Sequence, residues 1–148
     1  MTRSERLKPV SRLAENREQR AAIEMAGFRR TLEAQQARLD ELRRFRRDYT
    51  QRFEESGRRG LDAARVADFR RILAQLGEAI VWQEERVRGM QGEYEILRRH
   101  WSNARTHTAA IEKARARFRR EEQQVGERRE QFELDEGSLR RFVHRHAE

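Results

Sequence analysis

Apolar side chains recur at alternating steps of three and four from Val66 to Val143, 78 residues without a phase break. The seam passes through Phe69, Leu73, Leu76, Ile80, Val87, Met90, Tyr94, Leu97, Trp101 and Ala104, and 17 of its 23 positions are apolar. A seven-residue repeat held this long predicts a helix whose one narrow stripe faces another helix. At 1.5 Å per residue that helix is a rod of roughly 120 Å. An earlier stretch carries the same spacing at Met25, Phe28, Leu32, Gln35, Leu39, Leu42, Arg46, Tyr49 and Phe53.

The punctuation between the two seams predicts a hairpin. Pro9 suits a first helical turn, so helix one is expected over about 8–55, with Met1 to Leu7 loose. Ser56-Gly57-Arg58-Arg59-Gly60 supplies a turn at about 56–61, and Asp62 stands as N-cap of a helix two over about 63–143. The expected fold class is all-α: a single antiparallel coiled-coil domain, 1–148, whose second helix is the longer. If Glu54 and Ala63 flank the turn at equal height, helix one reaches only to about Thr108. Past that point one seam position per heptad turns polar, at Thr108, Arg115, Glu122, Arg129 and Glu136. Residues from about 112 to 143 are therefore expected to overhang alone by roughly 45 Å. Their stripe, with Phe118, Val125 and Phe132, is a candidate partner surface. Self-association of two overhangs and a tail that stays mobile until something docks are the alternatives.

Near the turn, Phe45 and Ile72 lie beside the seam at equal expected height. With Tyr49 and Trp82 they predict an exposed apolar patch, or else residues that a two-helix rod cannot hide.

Composition narrows the reading further. At 41% charged and 36% hydrophobic the chain has too little apolar surface for a layered core, whereas two helices need only a stripe. No cysteine, no apolar run near ~18 residues and no apolar leader at Met1 to Val10 predict a cytoplasmic protein without disulfides. The net charge of +8, carried by arginines, admits a nucleic-acid reading. The 26 acids interleaved with them predict instead a solvated helix face with i,i+4 pairs, and no specific nucleic-acid partner. No motif for chemistry appears. Gly57-Arg58-Arg59-Gly60 lacks phosphate-loop spacing, and Glu84, Glu85, Glu121 and Glu122 have no cleft to tune them. His100 and His107 are two turns apart, while His144 and His146 fall in an end expected to fray. Neither an enzyme, a metal nor a cofactor is expected.

Several segments in order resemble the flagellar type III export protein family FliJ. They are Leu39-x-x-Leu42-x-x-Phe45-x-x-x-Tyr49, the loop ending Gly60-Leu61, and Phe69-x-x-Ile72-Leu73-x-x-Leu76-x-x-Ala79-Ile80-x-x-Gln83. Trp101-x-x-Ala104 and Arg128-Arg129-Glu130-Gln131 followed by Asp135-Glu136 complete the set. Phe45 where the family often has tyrosine, Phe132 within the end motif, and the arginine load depart from the pattern. The resemblance implies a cytoplasmic stalk of the flagellar export apparatus, held peripherally at the inner face of the membrane. Its implied partners are the hexameric export ATPase, the cytoplasmic domain of the export-gate membrane protein and export chaperones. Leu42, Phe45, Tyr49, Ile72, Leu76, Ala79 and Gln83 match the family's gate-facing segment. The open end is expected to face the ATPase, with Phe118, Arg119, Arg120, Val125, Arg128, Arg129 and Phe132 as candidate contacts. A monomer is expected rather than a homodimer. The related injectisome stalk and, in another class, a basic coiled-coil nucleic-acid binder are the alternatives.

Overall fold

The structure, a computed structural model, describes residues 1–147. Every regular element among them is helical: α1 (Arg3–Arg6), α2 (Lys8–Gly57) and α3 (Ala63–Ala147). The all-α helical hairpin expected from the seam is what is observed, with α3 the longer partner. Packing divides the chain into two compact units, Arg20–Trp101 and Met1–Gln19 with Ser102–Glu148.

In the unit Arg20–Trp101, the connection is built from backbone chemistry. Arg58 N–H donates to the Glu54 carbonyl at 3.3 Å and Gly60 N–H to Gly57 at 3.2 Å, closing α2. Gly60 takes φ 88°, a left-handed turn that a side chain would resist. Asp62 Oδ1 then accepts from Arg65 N–H at 2.9 Å, satisfying one of the free amides at the start of α3. The core of this unit is Leu32, Leu39, Ile80 and Val87, with Leu42, Met90 and Tyr94 half-buried against it. All seven are seam positions, so the three-four spacing alone selects the buried face. Buried among them is Gln83, whose Nε2 donates to both the Gln35 carbonyl and Gln35 Oε1 at 2.9 Å. Both amides occupy seam positions. A polar pair at such positions satisfies itself only in one register, which ties the two helices' heights together.

The unit formed by Met1–Gln19 and Ser102–Glu148 is held differently. Met1 to Leu7, expected to be loose, is ordered as a capped helical turn. Thr2 Oγ1 accepts from Glu5 N–H at 3.3 Å while Glu5 Oε2 accepts from Thr2 N–H at 3.0 Å, a reciprocal capping box. The helix is interrupted at Leu7, between this turn and α2, two residues before Pro9, which has no N–H to offer the carbonyl four residues back. The turn is fastened to α3 by one carboxylate: Glu122 accepts from Ser4 N–H at 3.0 Å and from Ser4 Oγ at 2.6 Å. One heptad on, Ser11 Oγ donates to Glu112. Arg3 lies over the Phe118 ring, 5.7 Å from its centroid, with Arg117 at 5.4 Å.

The overhang therefore starts later than the sequence suggested. Ser4 faces Glu122, not a residue near 113 as the expected register required. Helix continuing through Arg3–Arg6 lengthens the first arm at its free end, and the arms of this unit are paired further along α3 than expected, with Ser11 on Glu112 and not near 106. Ile111 and Phe118 are half-buried and Thr108 is buried, so the stripe between 108 and 122 is covered. From Gln123 to Ala147 every residue except Gly137 is exposed, while the helix itself persists through His144 and His146.

Candidate functional site

Two surfaces carry exposed apolar side chains, one in each unit. In Arg20–Trp101, stacked rings climb from the seam toward solvent. Phe53 stacks on Phe69 with centroids 3.6 Å apart, Tyr49 on the same ring at 4.8 Å, and Phe45 on Tyr49 at 6.2 Å. Phe69 is buried, Tyr49 half-buried and Phe45 55% exposed, so Phe45 is the outward end of a rigid aromatic stack. Phe45 and Leu42 line a shallow groove of about 540 Å³ with Ala34, Ala37, Arg38 and Glu41. Ile72 and Leu76 are half-buried and Ala79 is exposed.

Gln83 does not join this surface. It is 2% exposed and its amide is engaged by Gln35, so its role in this fold is to fix register.

Val81 and Trp82 are exposed and line a hollow of about 390 Å³ with Gly77, Glu78 and Glu85; Arg86 covers the Trp82 ring at 5.4 Å. Sequence reasoning missed Val81, although a signal existed. With Ile80 in the seam, the next residue must point about 100° away from it, so an Ile-Val pair there places one apolar side chain in solvent.

The second surface is the uncovered part of α3. Val125, Phe132, Leu139 and Val143 continue the seam, each between 58% and 67% exposed, and Leu134 and Phe142 add apolar surface off the stripe. Among the other residues expected at this end, Arg119, Arg120, Arg128 and Arg129 are exposed. Phe118 is not a free surface residue: it is half-buried beneath Arg3 and Arg117. Beside it a cleft of about 420 Å³ opens, lined by Thr2, Arg3, Glu121, Glu122, Val125 and Arg129 among others. The helix end is tied to itself, with Phe142 and His146 rings 4.2 Å apart and His146 Nδ1 3.0 Å from the Phe142 carbonyl.

Electrostatics follow the interleaved pattern. Arg29 pairs with Glu33 and Arg140 with Glu136 at 3.1 Å, both i,i+4 and solvent-exposed. Between the two arms, Arg43 sits 3.6 Å from Glu84, and within α2 it lies 4.0 Å from Asp40. Such open pairs are worth about 0–1 kcal/mol each. Two carboxylates are tuned. The Ser4 hydroxyl and then the Ser4 amide hold Glu122 below the usual glutamate range, and the Thr2 amide and hydroxyl do the same for Glu5. Ser4, Ser11 and Glu112 were not singled out from sequence, because isolated hydroxyls and acids carry no periodic signal. No group of three or more His, Asp or Glu placed to hold a metal ion occurs among the described residues. No helix among them is long and apolar enough to cross a membrane.

Comparison with known proteins adds one finding. The family model described as "Flagellar FliJ protein" matches residues 3–147. No curated protein and no solved structure matches the chain.

Proposed function

The chain belongs to the flagellar FliJ protein family, and from that membership we propose that it is a non-enzymatic stalk of the flagellar type III export apparatus. In this reading a single copy links the hexameric export ATPase to the cytoplasmic domain of the export-gate protein and meets export chaperones. It does so in the cytoplasm, at the inner face of the membrane. The observation that carries the proposal is the combination of a family match over nearly the whole chain with a helix that continues uncovered past Glu122. A helix exposing Val125, Phe132, Leu139 and Val143 along one stripe is shaped to lie in another protein's groove. The Phe45 stack supplies a second, separate surface of the kind aromatic anchors form. The export ATPase is assigned to the α3 overhang and the gate to the surface around Phe45.

A pull-down and a turnover assay with the cognate export ATPase test this. Binding at micromolar concentration, lost when Phe132 is changed to Glu and kept when Phe45 is changed to Ala, is the expected result. Failure of the unaltered chain to bind the ATPase or alter its hexamer formation or turnover would count against the stalk reading.

A further inference from the structure

Beyond Glu122, where Ser4 is fastened, two pairs of charges on α3 stand in mirror order about Phe132. Arg128 and Arg129 precede it by four and three residues; Asp135 and Glu136 follow it by three and four. Val125 and Leu139 stand seven residues to either side, and both they and Phe132 are more than half exposed. This order makes the segment complementary to itself when reversed. An axis through Phe132 carries Arg128 and Arg129 of one helix onto Glu136 and Asp135 of another, and Val125 onto Leu139, the relation that an isologous contact requires.

We propose that the exposed stripe of α3 pairs antiparallel with the same stripe of a second copy of this chain. Arg128 and Arg129 of each copy then oppose Asp135 and Glu136 of the other, and the contact occurs twice. Parallel pairing instead sets Arg129 on Arg129 and Glu136 on Glu136, which like-charge repulsion disfavours. Glu136 already holds Arg140 at 3.1 Å, yet its side chain is 46% exposed, leaving room for a second guanidinium. The pairing covers Phe132 in both copies at once, which a helix this polar cannot do alone. It goes beyond the stalk reading, and describes the chain when no other protein occupies the stripe; its failure leaves that reading standing.

Sedimentation equilibrium on the full chain between about 1 and 100 μM tests the proposal, a range chosen for association free energies of a modest interface. The unaltered chain is expected to dimerise. Arg128→Glu with Arg129→Glu, and separately Asp135→Arg with Glu136→Arg, each weaken self-association roughly tenfold or more. An equimolar mixture of the two variants restores the dimer, because every opposed pair is again of unlike charge. A spin label at Arg120→Cys reports direction: antiparallel copies place the two labels about 36 Å apart along the helix axis. A monomer throughout the range overturns the proposal and leaves the stripe to a foreign partner. So do variants that dimerise as well as the unaltered chain, a mixture that stays monomeric, or labels closer than about 25 Å, the separation side-by-side parallel helices allow.

Discussion

Ile80 is the most completely buried apolar side chain in the seam, 1% exposed and packed with Leu32, Leu39 and Val87. Changing it to alanine removes three carbons. At about 0.8 kcal/mol per buried CH₂ the transfer term is about 2.4 kcal/mol. A cavity term adds to this only as far as the arms fail to close up, and a two-helix seam, open on both flanks, relaxes more readily than a layered core. The expected loss is therefore about 2.5–3.5 kcal/mol, in the lower part of the range for such substitutions. The adjacent Val81 is 56% exposed on the same helix and provides an internal control. Val81→Ala shares the helix, the solvent and the unfolded chain, yet should change stability by no more than about 0.5 kcal/mol. Urea unfolding followed by far-ultraviolet circular dichroism measures both. Equal effects at the two positions, or a loss below about 1 kcal/mol for Ile80→Ala, would refute the assignment of this seam as the source of stability in the unit Arg20–Trp101.

Other perturbations test separate parts of the fold. Gly60→Ala meets no neighbouring atom within 4 Å, so its cost is purely that of φ 88° and should be about 1–2 kcal/mol in the same urea assay. Gln35→Leu with Gln83→Leu should leave stability equal or higher, because both partners of the buried amide pair go together. The same double variant should lose its single register, seen as doubled or broadened amide resonances. Docking of the N-terminal turn depends on pH through Glu122, whose native pKa lies below its unfolded value. Docking should be complete above the ordinary glutamate range and lost as pH falls through the lowered native value; amide exchange at Ser4 and Leu7 reports it. Glu122→Gln should reduce that pH dependence to what Glu5 contributes through the cap.

The hairpin was legible because it rests on periodicity. Leu32, Leu39, Ile80 and Val87 could be placed in the core from spacing alone, as could the turn at Gly60 and the cap at Asp62. Side chains beside the seam were harder. Phe45 was found because it departs from the repeat, but Val81, one residue from a seam isoleucine, was hidden in an apolar run. Gln83, aligned to the family's gate-facing segment, is engaged by Gln35 within its own hairpin, a pairing that spacing does not announce.

The seam between Thr108 and Glu122 explains why the end of cover was misjudged. The register counted from the turn ended cover at about Thr108, and polar residues at Thr108, Arg115 and Glu122 agreed with it on the premise that a covered seam must be apolar. In the unit Met1–Gln19 with Ser102–Glu148 the opposite arm is polar as well. Ser4 and Ser11, both nearly fully buried, meet Glu122 and Glu112, and Thr108 returns its hydroxyl to the Ala104 carbonyl at 2.9 Å. A polar seam position is thus covered or bare according to whether the facing arm offers a donor, and polarity alone does not distinguish the two. What does distinguish them is the loss of any facing arm at all. After Glu122 only Thr2 and Arg3 approach the start of the bare stretch, beside Val125 and Arg129, and Phe132, Glu136 and Leu139 beyond them are open. The stretch left uncovered is therefore about 25 residues, 123–147, and not the 32 expected from 112 to 143.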